Sequence, residues 1–194
     1  FDLLVWTAVV LLVAMIPGGR DPRLWVAVGL LVGAGLENKH LILLLVLALA
    51  VGLALDHRLV AALRSPWLWL GAAVAVAAWL PNVLWQASNG WPQLELAQDI
   101  REDDAGESRA TLLPFQLLAV GPLLVPVVVA GLWALWRDPA LRPWRALGFA
   151  YPVLLVLLLL STLVFGRFFC GWACHVVALQ DASAWLLGRF GLRP

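Results

Sequence analysis

Two stretches of the chain carry residue types that could do chemistry. The first is LPNVLWQASNGWPQLE, where Asn82, Gln86 and Asn89 lie among Trp85 and Trp91 at the end of a long apolar run. The amides fall at i, i+4 and i+7, one face of a helix if the helix continues that far. Each amide can donate and accept, and indole favours the membrane boundary with its ring in the acyl region and its N–H toward water. Amides on a bundle-facing stripe near the interface suit a polar head group whose tail stays in lipid. The same pattern also fits an interfacial aromatic belt with a helix cap. Lys39 and His40 follow a short apolar segment. Beside Asn38 they could hold a lipid phosphate, or they could anchor the segment by snorkelling.

The second stretch holds Cys170 and Cys174 followed by His175. Thiols four positions apart sit one turn apart on a helix, so the pair could be redox-active or ligate a metal, with His175 as a third donor. A usual iron–sulfur cluster needs about four ligands, and nothing here supplies the fourth. The Cys-x-x-x-Cys-His spacing is one residue longer than the haem attachment motif. Two packing thiols or a local disulfide are the plainer alternatives.

What must position these groups is a set of membrane helices. Of the 194 residues 63% are hydrophobic and only 13% charged, with a mean hydropathy of +0.91, whereas a soluble domain carries about 25% charge. The apolar residues arrive in blocks rather than alternating, which points to helices and away from a barrel. The spacing predicts an all-α, polytopic transmembrane helical bundle with six segments at 1–16, 24–36, 41–55, 67–86, 112–136 and 144–165. A seventh, interfacial helix over 175–190 would carry Val176, Val177, Leu179, Trp185 and Leu186 on one face. Gly29 and Gly33 form a small-xxx-small helix-packing pattern. A basic linker is expected over 56–65, and a long polar loop over 87–111 carries Asp99, Glu102, Asp103, Asp104 and Glu107 without regular cation-ligand spacing.

The first, third and fifth connections hold Arg20, Arg23, Arg58, Arg64, Arg137, Arg142 and Arg145, against Lys39, Arg101 and Arg109 in the second and fourth. The positive-inside bias places the former in the cytoplasm. Glu37 to His40, Asn82 to Trp91 and the acidic loop then share the external side. A net charge of +1 with scattered basic residues gives no case for nucleic acid. The sequence opens inside an apolar run without Met or a basic n-region, so a fragment is expected.

From Phe1 to about Leu160 the chain resembles bacterial polytopic glycosyltransferases of the GT-C type, the dolichyl-phosphate-mannose protein mannosyltransferase and aminoarabinose-transferase superfamily. The likeness rests on FDLLVW at 1–6, DPRLWVAVGLLVGAGLENKH at 21–40, SPWLWLGAAVAVAAWLPNVLWQASNGWPQLE at 65–95 and RDPALRPWRALGFAYPVLL at 137–155. The resemblance implies a bacterial inner-membrane helical bundle that takes a sugar from a polyprenyl-phosphate carrier, with membrane lipid and that donor as partners. It further implies a catalytic carboxylate in an external loop upstream of Phe1, so that these residues alone would be inactive.

After Leu160 the likeness changes. GRFFCGWACHVVALQD, from Gly166 to Asp181, resembles the Cys-motif segment of polyferredoxin-type membrane proteins, with His175 where Pro is usual. That implies two units, 1–160 and 161–194, and an iron–sulfur cluster as the one cofactor the chain suggests. The two likenesses imply opposite sidedness for the tail, which points to a junction near Leu160. Sugar, acceptor and oligomeric state are not legible in the sequence.

Overall fold

The computed structural model describes residues 1–16, 21–92, 94 and 124–165, the last four by backbone alone. Every regular element among them is helical: α1 (Asp2–Met15), α2 (Leu24–Asn38), α3 (Ile42–Leu55), α4 (Leu59–Leu63), α5 (Pro66–Ser88), α6 (Val125–Arg137), a 3-10 turn (Pro139–Trp144) and α7 (Arg145–Phe165).

Each helix turns one narrow stripe inward. On α1 the buried residues are Val5, Val9 and Val13, spaced by four. On α2 they are Trp25, Val28, Gly29, Val32, Gly33, Gly35 and Leu36, which recur at spacings of three and four along one face. The outer faces stay apolar as well, with Leu3 81% and Leu4 74% exposed. An exterior this greasy is what lipid, rather than water, accommodates.

Between apolar helices in lipid there is little hydrophobic drive, so close packing of small residues decides which surfaces meet. Gly29 and Gly71 bring α2 and α5 into backbone contact, since a Cβ on Gly29 would overlap the Gly71 carbonyl and one on Gly71 the Trp25 carbonyl. A Cβ on Gly33 would lie 2.7 Å from that of Ala78. The small-xxx-small pattern thus lies on the α2–α5 seam. Gly52 of α3 does the same against α7, where a Cβ would collide with the Ala146 carbonyl and approach the Ala150 Cβ to 2.9 Å.

These pairings fix direction. Trp25 meets Gly71 and Gly33 meets Ala78, so α2 and α5 run parallel, whereas Gly52 near the end of α3 meets the start of α7, so those two run antiparallel. The starts of α2, α5 and α7 therefore share one end of the bundle. There Arg23 stacks over Trp67 at 5.3 Å, and Arg58 donates from Nη1 to the Pro143 carbonyl at 3.0 Å and from Nη2 to the Arg142 carbonyl at 3.2 Å. The first, third and fifth connections are tied together, as the arginine count requires.

Helices occupy all six expected positions, but their lengths differ from a set of six spans. Among the described residues, only 66–88 and 139–161 are long and apolar enough to cross a membrane. At 1.5 Å per residue, α1, α2, α3 and α6, with 14, 15, 14 and 13 residues, fall short of a hydrocarbon core of about 30 Å. The expected start of the fifth segment at 112, the acidic loop beyond 94 and the interfacial helix at 175–190 lie outside the described residues. The linker over 56–65 is more ordered than its composition suggests and contains α4.

Candidate functional site

At the end opposite the arginines, the start of α1, the turn between α2 and α3, and the end of α5 come together. Asp2 opens α1. Its Oδ2 lies 3.0 Å from Lys39 Nζ, with the two side chains 22% and 12% exposed, and its Oδ1 accepts from Asn38 Nδ2. Lys39 can reach back because the chain leaves the helix there: its backbone is extended, at φ −150° and ψ 127°, while its N–H still bonds the Gly35 carbonyl. A carboxylate at the start of an apolar helix is costly in lipid unless paired, and here α2 supplies the pairing.

His40 follows directly. Trp79 of α5 donates its indole N–H to His40 Nε2 at 3.2 Å, with the rings edge to face at 66° and 5.6 Å between centroids. Nε2 is thereby an acceptor, so the neutral ring carries its proton on Nδ1. Burial holds the His40 pKa below the ordinary 6.5, opposed by the nearby negative charge of Glu37.

Asn82 and Gln86 continue the face of α5 that carries Trp79, three and seven residues further on. Gln86 is 3% exposed. Asn82 Oδ1 and Gln86 Oε1 are both buried and have no hydrogen-bond partner among the described residues. A buried acceptor left unmet costs about 1–3 kcal/mol, so two in successive turns mark a place where a donor belongs.

The other residues of the sequence cluster sit differently. Asn89 lies just past the helix and turns its amide back to the Trp85 carbonyl at 2.8 Å and to Ser88 Oγ at 3.2 Å. The helix closes in a Schellman arrangement, with Gly90 left-handed at φ 77° and the Trp91 N–H donating to the Gln86 carbonyl at 2.9 Å. Trp91 is left-handed too, at φ 62°. Trp85 and Trp91 are 58% and 44% exposed and face outward. The cluster therefore divides into an inward pair, Asn82 and Gln86, and an outward rim of Trp85, Asn89 and Trp91.

Asp2 and Trp79 escaped the sequence reading as site residues. Asp2 had a signal, being a lone charge in an apolar run, whereas the contact between Trp79 and His40 joins residues 39 apart and depends on the α2–α5 packing.

Residues 1–85 match the family model of dolichyl-phosphate-mannose-protein mannosyltransferase. The matched segment includes Asp2, Lys39, His40, Trp79 and Asn82, and stops one residue before Gln86. Residues 147–193 match a second family model, a 4Fe-4S binding domain. Both resemblances seen in the sequence are thus family matches, and the chain joins a membrane glycosyltransferase-like part to an iron–sulfur-like part. No curated protein and no solved structure matches the chain.

The second match begins within α7, the helix docked on α3 through Gly52. Cys170, Cys174 and His175 lie outside the described residues, and among the described ones no group of three His, Cys, Asp or Glu could hold a metal. With two cysteines in all, the chain offers half of the roughly four thiolates a 4Fe-4S cluster takes, so its own donors do not fit a complete cluster.

Proposed function

We propose that the bundle is the membrane core and part of the external-face site of a polyprenyl-phosphate-dependent glycosyltransferase of the GT-C type in a bacterial inner membrane, crossing it several times. The observation that carries this reading is the placement, inside the mannosyltransferase match, of a charged cluster and the unmet Asn82 amide at one bundle end, with the unmet Gln86 amide one turn beyond. In this reading Lys39 holds a phosphate oxygen, and Asp2, itself held by Asn38, fixes its ammonium. Asn82 and Gln86 accept hydrogen bonds from sugar hydroxyls, because their unmet atoms are acceptors and a phosphate has no proton to give them. His40 stands beside Trp79 at the edge of this cluster, while Trp85, Asn89 and Trp91 hold the helix end at the interface. The general base that such a transfer needs is not assigned to any of these side chains.

Photo-crosslinking with a short-chain polyprenyl-phosphate probe tests the assignment. Lys39→Met should lower labelling by about tenfold or more, the scale of a hydrogen bond to a charged group, and Asn82→Leu by about fivefold. Labelling at wild-type strength in both variants would sink the site. Sugar transfer from a polyprenyl-phosphate donor by a protein extended upstream of Phe1 tests the activity itself.

A second reading, favoured by the match over 147–193, is a membrane iron–sulfur electron-transfer or assembly segment using Cys170, Cys174 and His175, with the remaining ligands from outside this chain. Anaerobically purified protein should then contain iron and sulfide that Cys170→Ser removes. A colourless, metal-free preparation counts against it. We place the boundary between the two units near residue 160, as 1–160 and 161–194. The intact mass of the native product tests that junction.

A further inference from the structure

At the arginine end, a cavity of about 370 Å³ opens between the end of α1, the starts of α2 and α5, and the α3–α4 turn, with Arg58 and Ser65 in its wall. A second cavity, of about 300 Å³ and almost wholly apolar, runs along α2, α3 and α5 as far as Val32, Val46 and Ala75. The two share Val13, Trp25, Leu53 and Ala62. They form one trough, polar at its mouth and apolar toward mid-bundle. That is the outline of an amphiphile rather than of a water-soluble ligand.

The polar mouth is built for an anion. Arg58 forms an ion pair with Asp56 Oδ2 at 2.8 Å and donates to the carbonyls of Pro143 and Arg142, which occupies two of its five N–H donors and fixes the plane of the guanidinium. Ser65 stands at the N-cap of α5, yet its side chain makes no cap hydrogen bond, and its buried Oγ has no partner among the described residues. A helix start that leaves its serine unused has a hydroxyl and the positive end of a long helix dipole to offer. Arg23, stacked on Trp67, adds a second guanidinium beside the mouth. Among the described residues this end holds six arginines against three aspartates.

We infer that this trough holds an anionic membrane phospholipid of the leaflet at the arginine end, its phosphate at Arg58 and Ser65 and one acyl chain along α2, α3 and α5. The site lies at the opposite end of the bundle from Asp2 and Lys39 and does not depend on the transferase reading.

Native mass spectrometry of the full chain, exchanged from detergent into phosphatidylglycerol or into phosphatidylethanolamine of the same chain length, tests it. Wild type should retain phosphatidylglycerol about fivefold better, the discrimination one basic side chain gives near the membrane surface. Arg58→Gln should erase that preference. Because Arg58 also ties two connections together, Ser65→Ala and Ala72→Trp serve as independent variants. The first should weaken retention about tenfold by removing one hydrogen bond to a charged group. The second, which fills the trough from its open side without touching a charge, should abolish retention, while the outward-facing Leu84→Trp should leave it unchanged. Equal retention of the two lipids, or wild-type retention in Ala72→Trp, overturns the inference.

Discussion

At the scale of single residues, the informative groups are those whose partners come from another helix. His40 is one. Its pKa is lowered, chiefly by burial and against the pull of Glu37, so between the lowered folded value and the ordinary 6.5 the unfolded chain binds more protons than the folded one. Its contribution is therefore fully present above pH 6.5 and is lost as pH falls through that value toward the lowered one. Protonation would also place two donors, Nε2–H and the Trp79 indole N–H, against each other across 3.2 Å. Thermal unfolding in detergent should show stability that declines as pH drops below 6.5, and His40→Gln should flatten that decline. An unchanged slope in the variant would assign the titration to another group. The sequence made Lys39, His40, Asn82 and Gln86 visible because polar side chains are conspicuous in an apolar run. It could not reveal that Asp2, itself bonded by Asn38, pairs with Lys39, or that Asn89 turns away, because those outcomes depend on how α1 meets α2 and where α5 stops.

At the scale of elements, the glycines decide which helices meet. Gly29→Leu would drive a side chain into the Gly71 carbonyl, and because the obstacle is backbone, the α2–α5 pair must separate. A loss of at least about 1–3 kcal/mol is expected, the usual cost of overpacking. Gly131, around which an added Cβ would meet nothing, serves as the control, and Gly131→Ala should be neutral or slightly stabilising. The α3–α4 turn predicts the opposite sign. His57 sits at φ 59° while the next N–H, that of Arg58, bonds the Leu53 carbonyl at 2.8 Å, so His57 holds the left-handed position of a Schellman turn that glycine normally takes. His57→Gly should raise the unfolding midpoint, by about 1 kcal/mol of relieved strain. Helix positions were readable from the apolar blocks, and the pairing of α2 with another helix from Gly29 and Gly33. The partners were not, since a small-residue stripe declares a close contact without naming what it contacts.

At the scale of the whole molecule, both family matches meet in one bundle whose two ends differ in chemistry. Arg23, Arg58 and Arg142 gather at one end through stacking on Trp67 and bonds to backbone carbonyls. Asp2, Lys39 and His40 gather at the other, beside the closing turn of α5. The alternation read from arginine counts needs successive helices to reverse, and the parallel α2–α5 and antiparallel α3–α7 pairings agree with that reversal. Since α7 starts at the arginine end, its last residues lie at the Lys39 end. Placing that side in the membrane makes a direct demand. In a background with Cys170 and Cys174 replaced by serine, Ser88→Cys should react with an impermeant maleimide added to intact cells. Ala140→Cys, exposed in the 3-10 turn beside Arg142, should react only after the membrane is opened. Equal reactivity of the two positions from one side would mean that the ends of this bundle do not face different compartments, and the assignment of the lipid-phosphate site and the anionic-lipid trough to opposite leaflets would fail together.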